Sequence, residues 1–167
     1  GRSDGSTKRP QVIRGGESRA HSVQLAALEA GEDMELLAVQ DGARPLVTPE
    51  LIDAVAEAAA RTGATAPAVA VKDTIKSVRE DGTVAETLDR SALRAVQTPQ
   101  IFEGSLLKAA LQAAVEGDIP VTDDCSAVER LGKRVYLVDG DEENLKITTP
   151  VDLILAEAIL HDREERL

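Results

Sequence analysis

Aromatic side chains are almost missing: the 167 residues include one Phe, one Tyr and no Trp. Phe102 and Tyr136 cannot make the stacking platforms on which single-stranded nucleic acid is held, so the core has to be built from Ala, Val, Leu and Ile. Such a core suits sheets covered by Ala-rich helices. The lone Cys125 excludes an internal disulfide and the multi-cysteine zinc sites. Nothing therefore requires an oxidising compartment, and the cytoplasm is the expected location. No apolar run approaches the length of a membrane span, and the opening GRSDGSTKRP is polar where a secretory signal would be apolar. Positive charge is short as well. Nineteen basic against thirty acidic residues leave a formal charge of −11, which argues against nucleic-acid or membrane-surface partners. Any phosphate bound here must meet a local cluster of cations.

What is present is 43% apolar residues in the length of one domain, enough to bury a core over residues 1 to 167. Residues 1 to 11, rich in Gly, Ser and charge, read as a flexible lead-in. Val12 and Ile13 predict a short strand ending in a tight turn at Gly15-Gly16, and Val23 to Leu28 a helix closed by Gly31. Leu36 to Val39 form a buried strand that stops at Asp41-Gly42. Thr48 and Pro49 supply a hydroxyl N-cap and a proline at the first helical position, and Gly63 ends that helix. Ala64 to Val71 is a third buried strand.

From Lys72 to Gln97 polar and β-branched residues alternate through a turn at Asp81-Gly82, which predicts a hairpin too polar for the core and hence a projecting arm. After Thr98-Pro99 come a helix over Leu106 to Ala114, a second in TDDCSAVERLG, strands in KRVYLVDG and NLKIT, and a terminal helix from Pro150 through Leu160. Strands that alternate with helices and are apolar on both faces predict a parallel α/β sheet, with ligands beyond the carboxyl ends of its strands.

Several segments carry chemistry at those ends, each with a plainer alternative. In RGGESRAHS two glycines precede a helix, where backbone N–H groups hold an anion or a polar ring edge, or where Ser18 simply caps the helix. LLAVQDGARP sets Asp41 where it can hold Mg²⁺ and Arg44 where it can grip a phosphate, or else forms a solvated Asp-Gly turn. Lys72-Asp73-Thr74 and Asp89-Arg90 put cations and a hydroxyl at the roots of the arm, a setting for a phosphorylated small molecule or for plain solvation. Thr122-Asp123-Asp124 suits a helix N-cap. Lys146 is a lone cation after the acidic run DGDEEN. Cys125, with no cation or His nearby in sequence, reads as a small buried residue.

In order and spacing, GGESRAHSV, DGARPLV, KDTIK, LDRSALRAVQTPQIF, TDDCSAVE and NLKITTPVDLILAE resemble the 2-C-methyl-D-erythritol 4-phosphate cytidylyltransferase family of the non-mevalonate isoprenoid pathway, over residues 12 to about 160. The resemblance implies a Rossmann-like nucleotidyltransferase sheet flanked by helices, with an inserted β-arm at 72–97 that exchanges across a homodimer. It implies transfer of the cytidylyl group from CTP to a sugar-alcohol phosphate with release of pyrophosphate, assisted by Mg²⁺. Gly16, Glu17 and Ser22 are then the positions that contact cytosine, and Asp41, Gly42 and Arg44 those near the ribose, the metal and the phosphates. Lys146 stabilises charge at the α-phosphorus, and Thr74, Arg90, Thr98 and Thr122 surround the methylerythritol phosphate.

The family's glycine-rich, triphosphate-wrapping opening is not found before Val12, so the sequence resembles an N-terminally truncated member whose own turnover is expected to be near background. Gly42 and Cys125 stand where the family pattern suggests Ala. Enzymes that make CDP-ribitol are close relatives with similar blocks, and a non-catalytic dimerising remnant is the alternative from another class.

Overall fold

The computed structural model describes residues 11 to 166, so the predicted lead-in lies outside the described residues save for Gln11. Helix α1 (Arg19–Glu29) starts where the Ser18 hydroxyl accepts from His21 N at 3.1 Å. Strand β1 (Leu36–Val39) is the predicted apolar run. Helix α2 (Pro49–Thr62) opens on the Thr48 hydroxyl and closes at Gly63, whose φ of +83° is left-handed, as its Thr-Pro and Gly signals require. Strand β2 (Ala64–Ala70) follows at once.

The chain then leaves the body. Strands β3 (Lys76–Val78) and β4 (Val84–Thr87) pair only with each other, around a turn that uses Gly82 at φ +81°. A 3-10 turn (Arg90–Ala92) brings the chain back to β5 (Arg94–Val96), a cis Thr98-Pro99 peptide and β6 (Gln100–Glu103). Helices α3 (Gly104–Glu116) and α4 (Asp124–Arg130), strand β7 (Tyr136–Asp139) and helix α5 (Pro150–Glu165) complete the order.

The sheet is mixed, not parallel. β6 lies between β1 and β2 and is antiparallel to both, β5 continues antiparallel along β2, and β7 is parallel to β2. The cause is the arm: a hairpin excursion returns the chain beside the strand it left, with no crossover helix to restore direction. Three further expectations are corrected. Val12 and Ile13 form no strand, and Val12 is 93% exposed. NLKIT is irregular, although Ile147 N donates to Ala43 O at 2.8 Å. The arm's paired strands span 76 to 87, while Arg94 to Val96 belong to the main sheet.

Side-chain alternation on β6 sorts the core into two layers. Ile101 packs with Leu51, Val55 and Ala59 of α2, while Phe102, fully buried, packs with Ala27, Leu107, Leu111 and Val128 of α1, α3 and α4. Small residues on these helices let them approach the sheet closely. At the start of α3 a Cβ on Gly104 would overlap the carbonyl oxygen of Met34, whereas a Cβ on Gly42 would meet nothing within 4 Å. Gly104→Ala is accordingly expected to destabilise the fold by about 1–3 kcal/mol, and Gly42→Ala to leave the urea midpoint unchanged. Equal midpoints for the two variants would refute this packing.

Candidate active site

Because β1, β2 and β7 run one way and β6 the other, the loops after β1 and β7 meet the segment that enters β6. Asp41, Arg44, Thr98, Thr122 and Lys146, all named from the sequence, line one cleft there of about 160 Å³. Asp41 Oδ2 lies 3.4 Å from Lys146 Nζ and 3.5 Å from Arg44 Nε. The Thr98 hydroxyl accepts from Asp41 N at 3.1 Å and donates to Gln40 Oε1 at 3.0 Å, tying β6 to the turn after β1. Gly42 sits beside Asp41 in that exposed turn, where its lack of a side chain relieves no clash.

Residues that the sequence reading passed over hold this arrangement. Gln100, buried on β6, donates to Asp123 Oδ2 at 3.0 Å and accepts from Asp124 N and Cys125 N at 3.1 Å each, so it clamps the head of α4 onto the strand. Gln97 donates to Asp141 O at 2.8 Å and accepts from Asp141 N at 3.2 Å. Their signal was present as two glutamines flanking Thr-Pro before an apolar pair, polar groups that a buried strand keeps only when they are bonded. Arg19 also faces the cleft, with its guanidinium bound through two contacts of 3.0 and 2.7 Å to Asp124, whose side chain is fully buried. That bond, then the nearby acids, raises the Arg19 pKa further.

The other predicted residues lie apart. At the head of α1 the Gly16 N–H donates to Ser22 Oγ at 3.0 Å and the Glu17 N–H to His21 Nδ1 at 3.2 Å, so both groups are engaged locally. Ser22 opens on a largely apolar groove of about 380 Å³ that Gln40 shares, and Gln40 connects it to the Asp41 cleft. Thr74 and Arg90 are exposed on the arm and do not line the cleft; Arg90 donates to the Lys72 carbonyl. Cys125 is buried, and burial pushes its thiol pKa up, so it offers no thiolate. Among the described residues no three His, Cys, Asp or Glu side chains gather to form a metal cage, and no helix is long and apolar enough to cross a membrane.

The family model for 2-C-methyl-D-erythritol 4-phosphate cytidylyltransferase matches residues 3–162. The chain belongs to that family. Members of this cytidylyltransferase family, a family of nucleotidyltransferases, include the Bacillus cereus enzyme, 50% identical over 92% of this chain and 68% of its own length. The Caldanaerobacter subterraneus enzyme is 47% identical over 90% and 66%. Among solved structures, the cytidylyltransferase of Thermus thermophilus aligns with a TM-score of 0.79 at 37% identity, over 93% of this chain and 78% of that one. The 4-diphosphocytidyl-2C-methyl-D-erythritol synthase of Anaerococcus prevotii aligns with a TM-score of 0.82 at 31% identity, over 89% and 66%. The chain thus spans about two thirds of the length of the curated family relatives it matches.

The Arg19–Asp124 pair has unequal partners, since the Arg19 side chain is 38% exposed and Asp124 is fully buried. Arg19→Ala strands a buried carboxylate and is expected to cost about 3 kcal/mol or more. Asp124→Asn leaves a guanidinium that can turn to water and is expected to cost about 1–2 kcal/mol. Urea unfolding of both variants checks the order, and the reverse order would contradict it.

Proposed function

We propose that this chain carries the site of cytidylyl transfer from CTP to 2-C-methyl-D-erythritol 4-phosphate, giving 4-diphosphocytidyl-2-C-methyl-D-erythritol and pyrophosphate, and that turnover above background needs the family's triphosphate-wrapping segment as well, in a full-length protein. The observation that carries this is the convergence of Lys146, Arg44 and Thr98 around Asp41 in one cleft of a family member. Methylerythritol phosphate is favoured over ribitol phosphate because the family model and the relatives above bear the methylerythritol name.

In the reaction a phosphate oxygen of the sugar-alcohol phosphate attacks the α-phosphorus of CTP in line and the bond to pyrophosphate breaks. No proton has to be abstracted from the attacking group, so the work is positioning and charge neutralisation, and no acid–base pair is needed. Lys146 meets the charge that develops on the α-phosphoryl oxygens, and Arg44 holds a phosphate at the other side of Asp41. Thr98 and Thr122 line the side of the cleft that we assign to the second substrate, while Gly16, Glu17 and Ser22 border the side assigned to cytosine. Magnesium fits the donor set, because it is commonly held by one or two carboxylates together with substrate phosphates, and Asp41, with Asp123 on the same cleft, would be the residue that holds it. When bound, the ion neutralises phosphate charge. A cytoplasmic setting accords with a single, buried thiol.

The arm supports a homodimer in which Thr74 and Arg90 complete the partner's cleft. An isolated two-stranded hairpin is marginal in water, and this one leaves Val78 and Val84 exposed by 66% and 50% with no layer over them.

In the full-length protein Lys146→Ala is expected to lower kcat roughly 10²–10³-fold while changing the KM for CTP little. A change confined to KM, read by pyrophosphate release, would remove Lys146 from its assigned role; absence of any release by the unaltered protein would leave the non-catalytic reading standing. Mixing Lys146→Ala with Arg90→Ala subunits is expected to regain activity, because about a quarter of all clefts at equal mixing pair two intact residues. No recovery after demonstrated subunit exchange would show that each chain completes its own site.

A further inference from the structure

We propose that Asn144 is the positioning residue that aims both Lys146 and Arg44 at the reacting phosphates; the proposal rests on the transferase reading above. Asn144 is fully buried although it sits in an irregular loop after β7. Its Nδ2 donates to Thr98 O at 2.9 Å and to Gln97 Oε1 at 3.4 Å, and its Oδ1 has no partner, so the amide is held by its donor side. Burying an amide costs free energy that its hydrogen bonds must offset, and here only the Nδ2 side does so.

Those bonds fix the two cations by different routes. The Asn144 carbonyl accepts from Arg44 Nη1 at 2.7 Å, which turns the guanidinium so that Nε faces Asp41. Lys146 is two residues further on, half exposed, and paired at 3.4 Å with Asp41. With a flexible stem at that exposure, the backbone fixes where the ammonium's reach begins, and the Asp41 pair its end. That backbone is fastened before the lysine by the Asn144 side chain and the Asn144 N–H to Asp141 O bond of 3.0 Å, and after it by Ile147 N to Ala43 O at 2.8 Å. Gln97 reinforces the first point by gripping Asp141 through both its oxygen and its nitrogen. Thr98, which receives the Asn144 bond on its carbonyl, presents its hydroxyl to Asp41 N. One buried amide thus sets the register of the cation loop against β6.

The test has two arms in the full-length protein. In the first, Asn144→Ala is assayed alone and in a Lys146→Ala background with CTP and methylerythritol phosphate. The single change is expected to lower kcat by up to roughly 10²-fold, the penalty of a small misplacement, with little change in KM for CTP. Added to Lys146→Ala it is expected to cost clearly less than it does alone, the remainder being the part that acts through Arg44, because residues that act as a unit are not additive. Independent, multiplying losses would overturn the proposal. In the second arm, amide exchange is followed without substrate. Asn144→Ala is expected to speed exchange at Ile147 while the Phe102 amide on β6 stays protected; unchanged exchange at Ile147 would overturn the proposal whether or not the protein turns over. If Phe102 also loses protection, Asn144→Ser, which keeps a donor, is measured instead, and it must restore Phe102 protection and part of that at Ile147 for the proposal to stand. Absence of turnover in the unaltered protein counts against the transferase reading alone.

Discussion

Everything at the cleft depends on β6 being paired on both edges, with β1 on one side and β2 on the other. A four-residue strand held by a single neighbour would fray, and one held by two is among the most constrained backbones in the molecule. Since β6 runs against β1, its first residues lie beside the last residues of β1, and Thr98 and Gln100 are delivered to Asp41 without any loop having to reach across. Ile101 and Phe102, one and two residues beyond Gln100, lock the same strand into both layers of the core. Shifting the register of β6 by one residue would exchange these side chains between faces and turn Gln100 away from α4, so core packing and site geometry are the same constraint.

Polar groups inside this fold divide along functional lines. Gln97, Thr98, Gln100, Asp124 and Asn144 are buried, and each bonds across elements to a segment that borders the cleft. Such groups stabilise less than apolar side chains of equal size would, but they demand one geometry, because any other leaves them unpaired in a low dielectric. The cleft is therefore positioned by hydrogen bonds that its supporting layers cannot satisfy in another way. Farther out, Arg163 and then Arg166 hold Glu143 below the usual carboxylate range and fasten the same loop to α5.

How much of this was legible depends on the range of the forces involved. Helix ends were readable, because Thr48, Pro49, Gly63 and Pro150 act on backbone groups within one turn. So were the strands Leu36–Val39 and Ala64–Ala70, whose apolar runs need no knowledge of their neighbours. Strands β5 and β6 were not: Arg94–Val96 is exposed, and Gln100–Glu103 is short and half polar, so both are strands only through what they pair with. Direction failed for the same reason, since a hairpin inserted after β2 reverses β5 and β6 relative to the strand it leaves. At the site, the residues that meet solvent, Asp41, Arg44 and Lys146, could be named from loop chemistry and family likeness. Gln97, Gln100 and Asn144 act through partners distant in sequence, from 23 positions for Gln100 with Asp123 to 100 for Asn144 with Arg44.

Charge explains the remaining economy of the design. A chain of formal charge −11 repels phosphates at long range, so the cleft must gather cations and keep them from being neutralised by the surrounding acids. It does so by giving Arg19 a carboxylate of its own, buried beneath it, and by letting Arg44 and Lys146 share the single Asp41. Around Asp41 two cations on one carboxylate leave a local positive excess, while Asp123, the other acid of the cleft, is engaged by the Gln100 amide and by Ser126 N at the head of α4; at contact distance this local excess outweighs the distant negative charges, which salt screens beyond about 8–10 Å. The same sharing makes each cation sensitive to the other's placement, because a displaced lysine would leave Asp41 to Arg44 alone and cancel the excess. A site organised in this way gains little from additional basic residues and a great deal from the backbone that keeps these few in register.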